Sequence, residues 1–139
     1  MNHSMVRMDK ELFDAVRETL AADDRIVFAY LYGSAGCREE ANDIDIAVYT
    51  TEPTDVFSLS ADIKIALHRK TGLPPDYFDI RVLNGLAENG DLFALLYLEN
   101  VLGANLVLVD NNPDLRADFL ETYGSRYREC TGLFREVLA

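Results

Sequence analysis

Apolar residues recur at helical spacing through Leu12, Phe13, Val16 and Leu20, directly behind Asp9, whose carboxylate suits the open amides of a helix start. That pattern predicts a helix capped by Asp9 and running to about Ala22. It gives way to the unbroken run Ile26-Val27-Phe28-Ala29-Tyr30-Leu31-Tyr32, with the length and composition of a buried strand, which Gly33-Ser34 ends. A second strand is read from Asp43 through Tyr49 and is broken by Thr51-Glu52-Pro53-Thr54. A helix over about 56–70 follows, with Leu59, Ile63, Ala66 and Leu67 inward, and Gly72-Leu73-Pro74-Pro75 stops it. Tyr77 to Leu83 alternates as a third strand, a helix is expected over about 91–102, and a fourth strand over 105–109. Asn111-Asn112-Pro113-Asp114 then turns the chain into a last helix, along which Leu115, Phe119, Tyr123, Tyr127, Cys130 and Phe134 recur at spacings of three and four. Most of that stripe is expected to pack into the core, with partner binding as the alternative. Helices and strands that alternate in this way form a sheet with helices packed on it, an α/β (α+β) fold class with a long C-terminal helix. One domain over residues 1–139 is expected, since the chain shows no internal repeat, low-complexity tract or linker.

Chemistry enters with the acids that interrupt these strands. Side chains alternate faces along a strand, so Asp43, Asp45, Ala47 and Tyr49 point one way while Ile44, Ile46 and Val48 point the other. Two carboxylates on one face lie roughly 6 to 7 Å apart along the strand, within reach of one cation or two adjacent ones. Magnesium suits them, because it prefers hard oxygen ligands, takes one or two carboxylates and completes its shell with water and phosphate oxygens. Gly33-Ser34 offers a complementary feature: a glycine lets backbone amides approach a phosphate, and a serine beside it adds a hydroxyl. Read alone, Gly-Ser also merely ends a strand. Asp79 adds a third acid, sharing a face with Arg81 while Phe78, Ile80 and Val82 occupy the other. An ionised carboxylate in an apolar strand needs a cation, a hydrogen-bond network or an open cleft, and a salt bridge to Arg81 or Arg69 is the plain structural way to meet that need.

Charge narrows the substrate. With 13 Lys and Arg against 24 Asp and Glu, the net charge of -11 argues against nucleic acid, whose binding draws on released counterions around basic side chains. It favours a basic protein partner instead. The apolar runs are too short to span a membrane, and Met1 to Arg7 has no apolar core of signal-peptide type. The two cysteines, Cys37 and Cys130, lack framework spacing, so a reducing cytoplasm is the expected home. His68 is expected at the surface, and no His and Cys group has the spacing of a zinc site.

Gly33-Ser34, Asp43-Ile44-Asp45 and the later strand acid Asp79 together resemble the signature of the DNA polymerase β-type nucleotidyltransferase superfamily. The likeness is greatest to its minimal members, the MNT domains, many of which are antitoxins paired with a HEPN-domain ribonuclease toxin. It runs over most of the chain, including the helix, strand and long tail after residue 92. The resemblance implies a nucleotidyltransferase-like mixed sheet and a Mg2+-dependent transfer of AMP from ATP to a hydroxyl of a protein partner, with a toxin tyrosine as acceptor. It implies Asp43, Asp45 and Asp79 as catalytic residues and metal ligands, and Gly33, Ser34 and Arg38 as nucleotide-binding residues. Gly36 and Arg38 are the nearest equivalents of the family's loop glycine and basic residue, in a loop shorter than the family usually carries. That shortening supports a second reading, a binding module that neutralises its toxin by complex formation. Transfer to a small molecule such as an aminoglycoside ranks third, because such enzymes use more chain to build an acceptor pocket. A homo- or hetero-oligomer fits each reading.

Overall fold

The computed structural model describes residues 6–33, 40–41 and 43–138. Asp9 caps the first helix as its sequence demands, accepting from Leu12 N–H at 2.9 Å, and α1 runs over Lys10–Ala21 with Val16 and Leu20 fully buried. A short ribbon pairs β1 (Val6–Arg7) with β3 (Glu40–Ala41), and neither strand is signalled by the hydrophobic pattern. The main sheet has four strands: β2 (Ile26–Tyr32), β4 (Ile44–Thr50), β5 (Phe78–Val82) and β6 (Leu106–Asp110). Their spatial order is β5-β4-β2-β6, with β4 and β5 parallel and the other neighbours antiparallel. The sheet is therefore mixed, and the parallel pair is joined by the crossover helix α2 (Val56–Thr71).

Period-two alternation divides the apolar residues into two cores. Ile44, Ile46 and Val48 of β4 and Phe78 and Ile80 of β5 face α1 and α2, packing with Val16, Leu20, Leu59, Ile63 and Leu67. Phe28, Tyr30, Tyr32 and Ala47 face the opposite way, against α3 (Leu86–Asn89), α4 (Leu92–Ala104) and α5 (Pro113–Leu138), through Ala87, Leu98, Val101 and Phe119. Arg126 of α5 donates to the carbonyls of Glu88 and Gly90 at 3.0 and 2.9 Å, pinning the last helix to the link that leads into α4. No helix among the described residues is long and apolar enough to cross a membrane.

Several expectations shift in detail. Ala66 is exposed, because the buried row Leu59, Ile63 and Leu67 steps by four residues and drifts about 40° per step, which leaves Ala66 on the flank. There it borders a groove between α1 and α2 lined also by Thr19 and Ala22. Asn105 caps α4 in the left-handed conformation at φ 52°, a role asparagine fills more readily than most residues, so β6 begins at Leu106. Tyr77 ends a short 3₁₀ turn (Pro75–Tyr77) before β5 starts. Along α5, Phe119 is buried, Tyr123 and Cys130 are half-buried and Tyr127 is exposed, so the stripe is core at its start and surface further on; the Phe134 side chain lies outside the described residues.

Phe119 holds α5 to the sheet, its ring 5.6 Å from both Phe28 and Tyr49. Phe119→Ala is expected to cost about 3–5 kcal/mol in urea unfolding. Phe57, 90% exposed, is expected to change stability by less than about 0.5 kcal/mol on the same substitution.

Candidate active site

Cross-strand register brings the acids together. Asp45 on β4 pairs with Asp79 on parallel β5 and with Tyr32 on antiparallel β2, so the three residues stand abreast on adjacent strands and share a face. Neighbouring strands lie about 4.8 Å apart, which sets the carboxylates of Asp45 and Asp79 side by side. Asp43 immediately precedes β4, exposed, two residues before Asp45. Of the expected site residues, Asp43, Asp45, Asp79 and Gly33 are thus gathered at one end of the sheet, while Ser34 and Arg38 lie outside the described residues, as do Gly36 and Cys37.

Gly33 has a more specific role than the sequence suggests. It follows β2 in the left-handed conformation at φ +72°, and a Cβ placed on it would collide with Asp45 Oδ2. Only glycine leaves room for that carboxylate. The close approach seen is between the backbone of Gly33 and the acid.

Like charges and burial govern the electrostatics. Burial raises the Asp45 carboxyl above its ordinary value, the neighbouring charges of Asp79 and then Asp43 raise it further, and Arg81 opposes them. Arg81 is the partner that Asp79 finds: Nε donates to Oδ2 at 3.1 Å, in a pair whose side chains remain 60% and 45% exposed. An ion pair that open contributes little to stability, so its importance lies in orientation. The Arg81 guanidinium also sits 5.7 Å from the centre of the Tyr97 ring. Tyr97, on α4, donates its hydroxyl proton to the Tyr32 hydroxyl at 3.0 Å, with the rings edge to face. Burial raises the Tyr32 hydroxyl above its ordinary value and pushes that of Tyr97 well above it. Sequence alternation places Asp79 and Arg81 on one face, but nothing local announces Tyr97, which reaches the row only through tertiary packing.

This donor set is hard and oxygen-rich. Among the described residues no three His, Cys, Asp or Glu side chains close on one point as a finished metal cage. Carboxylates that repel one another on an open face instead match the partial coordination magnesium takes, with substrate oxygens completing the shell.

Residues 14–114 match the family model for polymerase beta, nucleotidyltransferase. No curated protein matches the chain in sequence. Among solved structures, it resembles a chain of the MntA–HepT toxin–antitoxin complex at 14% identity and a TM-score of 0.58, over 94% of this chain and 96% of that one. A mutant of that type of complex gives 15% identity and a TM-score of 0.59, over 92% of this chain and 93% of the other. The Shewanella oneidensis complex of a tri-AMPylated HEPN toxin with an MNT antitoxin gives 15% identity and a TM-score of 0.55, over 94% of this chain and 92% of that chain. At such identities the likeness is one of fold.

Two outcomes follow from the row. Because the folded-state value of Asp45 lies above the ordinary 3.8, the folded protein holds that proton longer than the unfolded chain, and stability is lost as pH rises from 3.8 through the raised value. Asp45→Asn is therefore expected to raise the melting temperature of the free protein at pH 7, with the gain vanishing below pH 3.8, as read by thermal scans across pH. Gly33→Ala is expected to cost at least about 1–2 kcal/mol from its left-handed backbone alone, measured by chemical denaturation.

Proposed function

Because the chain belongs to the polymerase β nucleotidyltransferase family, we propose that it transfers AMP from ATP to a hydroxyl of a HEPN-type toxin and acts as that toxin's antitoxin. The observation that carries this reading is the alignment of Asp45 beside Asp79, with Asp43 at the mouth of β4 and Gly33 turned back against Asp45. The resemblance of the fold to MNT and HEPN complexes supports the partner, and the tri-AMPylated toxin in one of them supports the group transferred.

In the proposed reaction the acceptor hydroxyl lies beside Asp79, whose carboxylate is held in place by Arg81. The hydroxyl oxygen attacks the α-phosphorus, the bond from that phosphorus to the bridging oxygen breaks, and pyrophosphate leaves with the bonding pair. The acceptor proton passes to the Asp79 carboxylate and on to solvent. Asp43, Asp45 and Asp79 would hold magnesium, which when bound neutralises triphosphate charge and steadies the charge developing at phosphorus. Gly33 leaves room for the Asp45 carboxylate, and Ser34 and Arg38, which follow it in sequence, are proposed to contact the phosphates. A reducing cytoplasm is the proposed setting.

One observation favours the reading as a binding module: Asp79 is already engaged by Arg81, so transfer requires the acceptor and nucleotide to share or displace that pair. Mass spectrometry separates the two readings. Incubation with ATP, magnesium and a purified HEPN toxin is expected to add AMP to the toxin, and the Asp43→Asn, Asp45→Asn variant is expected to add none. A stable complex that gains no AMP would leave neutralisation by binding as the function.

A further inference from the structure

Helix α4 is unusually apolar, with Glu99 and Asn100 breaking its exposed side. Its sequence, LFALLYLENVLGA, contains one charged residue, Glu99, whereas a helix on the surface of a globular protein carries a single apolar stripe. A helix this apolar is ordinarily covered over most of its surface, yet this one is covered on one side. Leu95, Leu98 and Val101 are buried, while Leu92, Phe93 and Leu96 are 40%, 78% and 44% exposed. Their spacing gathers the exposed residues into one patch over the first turns.

Position sets this patch apart from the other exposed apolar residues. Val56 and Phe57 also stand in solvent, but they begin α2, on the opposite side of the sheet from α4. Phe93 lies one turn before Tyr97, with Cβ atoms about 5–6 Å apart at that spacing. Tyr97 donates to Tyr32, which stands beside Asp45, and its ring lies against Arg81, which grips Asp79. The apolar patch and the acid row are consequently two parts of one surface joined at Tyr97. A molecule seated on Phe93 is one helical turn from Tyr97, the residue of α4 that meets the row through Tyr32 and Arg81.

Charge selects the occupant. A second copy would bring another net charge of -11 toward this face, and an anionic membrane surface would repel it in the same way. A basic protein surface is attracted. We propose that Leu92, Phe93 and Leu96 form the docking surface for the acceptor protein, which presents apolar side chains to α4 and a hydroxyl flanked by lysine or arginine to the acid row. The placement of the hydroxyl rests on the transferase reading; the docking itself does not.

The test uses the full chain and, as probe, a purified HEPN-type toxin. Phe93→Asp and Leu96→Asp are each expected to weaken the complex roughly 10- to 100-fold in calorimetry, with circular dichroism and ATP binding as in wild type. Phe93→Ala, which adds no charge, is expected to weaken it in the same direction. Phe57→Asp is expected to leave affinity within about twofold of wild type, since the patch at the start of α2 leads away from the acids. Wild-type affinity in the Phe93→Asp, Leu96→Asp double variant would overturn the proposal. So would a wild-type chain with no affinity for the HEPN protein, or self-association in light scattering that Phe93→Asp abolishes. Failure of the transferase reading has another signature: the complex forms, Phe93→Asp disrupts it, and no AMP is added to the toxin; the docking surface then stands.

Discussion

The register of β4 against its two neighbours is the constraint on which the acid row depends. Ile44, Ile46 and Val48 are at most 1% exposed on the face that meets α1 and α2, and each such side chain contributes about 1.5–3 kcal/mol when buried. A slip of one residue would send all three to the other face and drive Asp45 into the apolar layer. The oily half of the strand therefore determines where its carboxylates stand. The same alternation in β5 faces Phe78 and Ile80 toward that layer and brings Asp79 abreast of Asp45.

Much of this was legible along the chain because the signals are local. The β2 run was bounded by apolar composition and by Gly33, and Asp9 capped α1 through a hydrogen bond that one residue type in one position suffices to make. The faces of β4 and β5 follow from counting by twos, which sets Asp43 with Asp45 and Asp79 with Arg81; that the two strands lie side by side is not written in either one. The β1–β3 ribbon was not legible, since two residues per strand are too few to show a period. Nor was α3, a four-residue helix without a side-chain cap. Ala66 was misplaced because a small apolar residue suits the flank of a buried row as well as its centre. Tyr97 escaped for a deeper reason: its role depends on where α4 settles on the sheet, and that is decided by side chains far away in sequence.

Arg126 illustrates such distant control. Its guanidinium fastens α5 to the carbonyls of Glu88 and Gly90, just ahead of α4, and α4 in turn carries Tyr97 to Tyr32. The acid row is thereby supported by helices that contribute no carboxylate to it. Asp45 needs that support, since burial and like charges both work against its ionised form. The surrounding core supplies the stability that this arrangement gives up.

Strand β5 is an outer strand of the four-stranded sheet, and its five residues include Asp79 and Arg81. An outer strand presents unpaired backbone groups to any other extended chain, and charged side chains along it are among the commonest deterrents to edge-to-edge aggregation. To add here as a fifth strand, a foreign segment would have to strip water from both the carboxylate and the guanidinium. The pair that fixes Asp79 within the acid row also guards the rim of the sheet, so neutralising it would expose the protein to misassembly.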